Sequence, residues 1–312
     1  MRAAARLCLA LALLVNAPAR ADVYFLTVAG LGGEPDYEQR FTSAAGDLDR
    51  ILKATGATSH VDTLSGTQAT RQQLTDALQR IAGEAKAEDD FVLILIGHGS
   101  FDGGQYKRNL VGPDISASEL AALCDKIAAQ RQLIVNTTSA SGGSVATLAR
   151  RGRAVIAATK TGTEKNATVF ARYWVEALQD PTADLDKNES ISALEAFQYA
   201  TAKTAAFYEA QKRLATEHAV FEDTGKGPPV RAAASESGAG RFLASLALVR
   251  LGSAQAAASD PAKRGLLARK EELERKIDML KYQRAAMAEE DYKAQLTQAL
   301  VALAKVQAEL EK

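Results

Sequence analysis

The segment that most restricts what this chain can fold into is Phe91-Val92-Leu93-Ile94-Leu95-Ile96, followed at once by Gly97-His98-Gly99. An unbroken apolar run of this length, bounded by glycines, reads as a strand covered on both faces in a parallel sheet. A histidine clamped between two glycines at the carboxyl end of such a strand sits where open α/β sheets place ligands and chemistry. Alone, the same residues also describe a histidine in a tight turn.

The surrounding chain alternates strand and helix patterns. Val23–Val28 is an apolar strand running into Ala29-Gly30-Leu31-Gly32-Gly33, and Asp36–Ala54 is a helix. The glycine spacing is not that of a dinucleotide-binding loop. Ser59–Leu64 is a second short strand in which His60 is partly exposed, and Ala69–Ala85 a second helix. After Phe91–Ile96 come the helix Ser116–Ala129, the strand Gln132–Asn136, the helix Gly142–Arg150, the strand Ala154–Ala158 and the helix Ala167–Gln179. Parallel strands joined by helices require right-handed crossovers, so the expected fold class is α/β, a three-layer sandwich with a mainly parallel sheet. Phe242–Leu251 is apolar and returns to that core.

The two ends have a different character. Met1–Arg6 is basic, Leu7–Val15 is apolar but too short to span a bilayer, and Ala19-Arg20-Ala21 is a small-x-small cleavage site. Residues 1–21 therefore read as a signal peptide, with the mature chain starting at Asp22 and exported to a periplasm or secreted. Cys8 leaves with that leader, so Cys124 has no partner for a disulfide and reads as a small buried hydrophobe. No later stretch is long and apolar enough for a membrane helix. With 38 basic and 38 acidic residues in the whole chain, nothing favours a nucleic-acid partner.

The expected α/β domain spans residues 22–251, and residues 252–262 form an alanine-serine linker. Residues 263–312 carry two apolar stripes: Leu273, Ile277, Leu280 and Met287, then Leu296, Leu300, Leu303 and Leu310. Their three-four spacing predicts a C-terminal helical hairpin or coiled coil, which either folds back or associates with itself or a partner protein.

Chemistry concentrates in two places. The fourth strand ends in Asn136-Thr137-Thr138-Ser139-Ala140-Ser141-Gly142-Gly143, a loop of small residues whose amides can hold an anion or a developing oxyanion. Adjacent strand ends in a parallel sheet lie side by side, so His98 and Ser139 face one site. Ile96-Gly97-His98-Gly99-Ser100 and Thr138-Ser139-Ala140-Ser141-Gly142 together resemble the caspase-like cysteine peptidases, in particular the legumain-like branch (peptidase family C13). The resemblance runs over roughly residues 22–227, including Val28-Ala29-Gly30 and Ala157-Ala158-Thr159. It implies His98 as general base, Ser139 at the position of the family's nucleophilic cysteine, and the amides of Gly99 and Ser139 as the oxyanion site. The family's specificity pocket does not align clearly, with Arg40 as a candidate.

The departure falls on the reacting atom. A thiol is partly ionised near neutral pH and works with a loosely held histidine, whereas a serine hydroxyl needs a tightly bonded, oriented base. Asp102 is the one acidic residue close after His98. The resemblance therefore implies a pseudo-peptidase that keeps a cleft for a peptide or protein ligand. A working hydrolase using Ser139 and His98 is the alternative, and a structural envelope protein a second.

The other place is Asp184–Glu195. Counted as a twelve-residue loop, it sets oxygen side chains at positions 1, 3, 5, 7, 9 and 12, with Ser190 at position 7, Ser192 at position 9 and Ile191 at the hydrophobic position 8. Asp184, Asp186, Asn188, Ser190 and Glu195 are the candidate ligands of an EF-hand-like calcium loop, in which Glu189 replaces the usual glycine and after which Ser192–Glu217 reads as a helix. The same residues also describe a polar loop in which Ser192 and Glu195 form a capping box.

Overall fold

The structure is a computed structural model that describes residues 21–56, 59–234, 236–284 and 287–312. The expected leader lies outside the described residues up to Arg20.

The first element is β1 (Val23–Ala29), and α1 (Pro35–Lys53) follows it. Proline in the first turn of α1, acids at Asp36 and Glu38 and bases at Arg50 and Lys53 all suit the helix dipole. The chain continues through β2 (Ser59–Ser65), α2 (Arg71–Glu84) and β3 (Asp90–Ile96). Next come three short strands, β4 (Gly99–Phe101), β5 (Tyr106–Arg108) and β6 (Ile115–Ser116), then α3 (Ala117–Cys124), β7 (Arg131–Asn136), α4 (Val145–Leu148), β8 (Arg153–Ala157) and α5 (Phe170–Ala177). The remainder is β9 (Ser190–Ser192), α6 (Ala193–Ala210), β10 (Val220–Glu222), α7 (Arg241–Ala244), β11 (Ala247–Arg250), α8 (Gly252–Ser259), α9 (Arg264–Gln283) and α10 (Glu289–Leu310).

The main sheet has the order β10-β8-β7-β3-β1-β2, parallel throughout except for β10, which runs antiparallel to β8. β3 lies inside it, with Phe91, Leu93 and Leu95 turned to the layer of α2, α3 and α4 and Val92, Ile94 and Ile96 to the layer of α1, α5 and α6. Every residue from Phe91 to Ile96 is buried, so an apolar side chain is needed on both faces. The fold is the expected three-layer α/β sandwich followed by a helical hairpin.

Four details differ from the sequence reading. The 252–262 linker is helical over α8, whose alanines are strong helix formers and whose Ala254, Ala257 and Ala258 are buried. The helix expected to reach Glu217 stops at Ala210, just before Lys212 takes a left-handed conformation (φ 53°). The sheet of β4, β5 and β6, and the pairing of β9 with β11, are too short to leave a periodic signal. In the hairpin, Leu300 is not part of the seam: Leu296, Ala299, Leu303 and Leu310 face inward, whereas Leu300 is 48% exposed.

The hairpin folds back on the domain. Lys263 Nζ at the start of α9 donates to Leu310 O at the end of α10 (2.7 Å), which makes the two helices antiparallel. Lys270 Nζ reaches Asn188 O (2.6 Å), and Arg250 holds Glu271 through two hydrogen bonds (2.6 and 3.1 Å). A half-buried, two-pronged arginine–carboxylate contact fixes orientation as well as position. Arg275 of α9 lies close enough to the Arg131–Asp90 pair (3.1 Å) to act on both charges, so the hairpin sits toward the amino ends of β3 and β7.

Candidate active site

The carboxyl edge of the sheet is organised by a residue that the motifs do not contain. Arg108 on β5 is fully buried. Its Nη1 donates to His98 O (2.9 Å) and Asn109 O (2.6 Å), and its Nη2 to Val28 O (3.3 Å) and Ile96 O. It thus gathers the last carbonyls of β1 and β3 and the backbone of the histidine loop. No carboxylate is among these partners, and burial pulls the guanidinium down to about 10, still a cation at neutral pH. A Cβ on Gly97 (φ +130°) would press on the guanidinium nitrogens at 3.1 and 3.2 Å, so the glycine before His98 makes room for the arginine.

His98 leaves this loop toward α1. Its ring packs edge-on against Tyr37 and Phe41 (centroids 5.1 and 5.2 Å), and Nε2 lies 3.1 Å from Gly32 O. Ser139 lies on the other side of the same loop. Its hydroxyl donates to Gly99 O (2.9 Å) and accepts from Gly99 N–H (3.1 Å), and the residue is 3% exposed. The three predicted site residues therefore cluster, with their hydrogen bonds differently distributed. Gly99 N–H is spent on the Ser139 side chain, and no hydrogen bond joins Ser139 to His98. A Cβ on Gly99 would collide with Tyr106, Ser139 and Thr138 at 2.6–2.7 Å, so the two loops meet in backbone-level contact.

A buried polar chain continues from there. Tyr106 Oη contacts Thr138 Oγ1 (2.6 Å), Thr138 donates to Asn136 Oδ1 (2.8 Å), and Asn136 Nδ2 donates to Ser144 (3.0 Å). Ala140 turns the chain in a left-handed conformation (φ 56°), held by its N–H donating to Glu164 O (2.8 Å). The Glu164 carboxylate in turn accepts from Lys160 N–H (2.7 Å) and contacts His218 Nδ1 (2.6 Å). Glu217, expected inside a helix, instead accepts from Val169 N–H (2.7 Å), Phe170 N–H (3.2 Å) and Tyr208 (3.0 Å). Arg108, Glu164, His218 and Glu217 belong to no motif. Only tertiary contacts single them out.

The remaining candidates fall away from the reacting position. Asp102 accepts from Gly104 and Gln105 N–H (2.9 and 2.8 Å), backbone donors that hold its carboxyl below the usual range in a turn. Arg40 stacks over Tyr37 (5.1 Å), near His98 but not in a pocket with Ser139. Cys124 is fully buried, and burial pushes its thiol up to about 12, so it is a packing residue.

In the second loop, carboxylate oxygens of Asp184, Asp186 and Glu195 lie within 4.8 Å of one another. Lys187 and Glu189 take left-handed conformations (φ 60° and 66°) that wrap the chain around them. Asp186 keeps an exposed outer edge, yet burial of its carboxyl and then the Glu195 charge push it up to about 6. Asn188 and Ser190 do not join: Asn188 Oδ1 accepts from Ser190 N–H (2.8 Å) and Oγ (2.6 Å). Glu195 also completes the capping box with Ser192 (2.8–3.3 Å), and its other oxygen accepts from Leu185 N–H (2.8 Å). Three of the five predicted ligands thus fit a hard cation such as calcium, and two are turned to each other.

No protein-family model matches the chain, and no curated protein does. Among solved structures it is similar to protein GSU0716 from Geobacter sulfurreducens (14% identity, TM-score 0.46, 68% of this chain and 98% of that one). It is also similar to the Drosophila initiator caspase Dronc (12%, TM-score 0.40, 68% and 82%) and to caspase-1 from Spodoptera frugiperda (12%, TM-score 0.43, 66% and 86%). At these values the likeness concerns the arrangement of the fold and assigns no role to any residue.

A hydroxyl that ties two loops together contributes to stability, whereas a nucleophile held for reaction is commonly neutral or costly. Ser139→Ala should therefore lower the unfolding free energy by about 1–2 kcal/mol in urea denaturation.

Proposed function

We propose that this protein is an exported, legumain-like pseudo-peptidase, which binds a peptide or protein segment at the carboxyl edge of its sheet without hydrolysing it. One observation carries the reading: the Ser139 hydroxyl both donates to and accepts from the Gly99 backbone, while the His98 ring bonds to Gly32 O. A serine nucleophile needs its base within hydrogen-bond reach and its oxyanion donors free for substrate. Here the His98 ring gives its Nε2–H to Gly32 O and makes no hydrogen bond to Ser139, and the Gly99 donor is occupied by the would-be nucleophile.

Export rests on the leader-like residues 1–21. The Asp22 N–H donates to Asp89 Oδ1 (2.8 Å), so a chain cut before Asp22 would place its new α-ammonium against a carboxylate. Intact mass of the exported chain reads that cut directly.

Incubation with a broad peptide library should give retention of selected peptides and no cleavage, with His98→Ala and Ser139→Ala indistinguishable from wild type in turnover. Cleavage that vanishes in both variants would establish the working hydrolase instead.

Calcium as a brace rests on Asp184, Asp186 and Glu195. When bound, such an ion would neutralise three crowded carboxylates and stiffen the turn before α6. Calorimetry should show calcium heat in wild type that is lost in both Glu195→Gln and Asp186→Asn. Absence of heat in wild type would leave the loop as the capping box alone.

A further inference from the structure

α10 has two apolar stripes, and the fold uses one of them. Tyr292, Leu296, Ala299, Leu303, Val306 and Leu310 turn toward α9. Ala294, Thr297, Val301, Ala304 and Ala308 repeat at the same three-four spacing on the opposite side, and every one is exposed. Beside them stands Leu300, and Leu300 and Val301 are 48% and 51% exposed. A solvent-facing helix ordinarily places charge on its outer face. Here the middle of that face is apolar, and charges flank it at Asp291, Lys293 and Lys305.

We propose that this face of α10 pairs with the same face of a second copy of the chain, antiparallel and about a two-fold axis, to join two hairpins into a four-helix assembly. The order of the face selects both occupant and direction. Read as a heptad seam in an antiparallel pair, Ala294 lies level with Ala304 of the other copy and Val301 with Thr297 of the other copy. Leu300 then meets its own two-fold mate, Lys293 faces Gln307, and Asp291 faces Lys305. No like charges oppose one another at the flanks. A parallel pair would instead set Glu290 against Glu290 and Leu300 against Lys305. Two-fold pairing also suits a self-complementary patch, because each residue serves both subunits.

Size sets the strength. The 22 residues of α10 extend for about 33 Å, and contact along one such face lies at the low end of specific interfaces. The expected species is a reversible dimer, half-formed at roughly 100 µM. Because the hairpin docks toward the amino ends of the strands, pairing does not involve the carboxyl edge of either copy. The inference is independent of any ligand there.

Sedimentation equilibrium of the purified protein tests it, with circular dichroism confirming that each variant is folded. Wild type should move from monomer to dimer with concentration, and Val301→Glu should raise the midpoint by about tenfold or more. Asp291→Lys and Lys305→Asp should each weaken the dimer, and the double variant should recover it, because only an antiparallel pair restores opposite charges across the axis. Four results would overturn the proposal: a wild-type monomer up to about 1 mM, a dimer indifferent to Val301→Glu, a dimer that the single charge swaps leave unweakened, or a double variant no stronger than the single ones. Dimerisation seen only with lipid vesicles present would assign the face to a membrane surface instead, and would overturn it equally.

Discussion

The carboxyl edge of the sheet depends on one buried cation. Arg108 spans the ends of β1 and β3 and binds the carbonyl of His98, so three chain segments converge on one guanidinium. Parallel strands end in outward-pointing carbonyls that water or a donor must satisfy. A rigid planar fork with several N–H groups reaches two such carbonyls, of Val28 and Ile96, together with the loop carbonyls of His98 and Asn109, which a lysine could not do in the same geometry. The cost of burying an arginine without a carboxylate is met by these dipoles, and the spacing of Gly97 follows from it. His98 is consequently held by its backbone from one side and by Tyr37 and Phe41 from the other.

Once that loop is fixed, Ser139 has little freedom. Gly99 is brought against Thr138 and Ser139 so closely that the serine hydroxyl fits between its amide and its carbonyl. The contact turns two neighbouring strand ends into one unit, extended through Tyr106, Thr138 and Asn136 on one side and through Ala140, Glu164 and His218 on the other. The edge is therefore tied together and preorganised. Those properties suit binding, and they leave no idle donor–acceptor pair at the serine.

The fold was largely legible because burial on both faces forces a continuous apolar strand. Phe91–Ile96 could be little else, and the alternation of strands and helices around it determined the layers. The positions of His98 and Ser139 on adjacent strand ends followed from the same logic. Their partners were not legible, since Gly32 O and the Gly99 backbone leave no mark in the identity of a side chain. Arg108 looked like an ordinary strand residue in Tyr106-Lys107-Arg108, because three-residue strands carry no usable period. The Asp184–Glu195 pattern was ambiguous for a physical reason: Glu195 accepts from Ser192 and Leu185 while also standing with Asp184 and Asp186, so capping and clustering use one carboxylate. In the hairpin, three-four spacing identified two seams correctly in kind, but Leu300 belongs to the outer face and Ala299 to the inner one.

The central claim is that the Ser139 hydroxyl is a structural tie and not a nucleophile. Treatment with a serine-reactive fluorophosphonate, followed by mass spectrometry of the peptide containing Ser139, examines that atom directly. The geometry predicts no adduct at Ser139 in the folded protein, because its proton is held by Gly99 O and no base reaches it. An adduct at Ser139 that disappears in His98→Ala would contradict it.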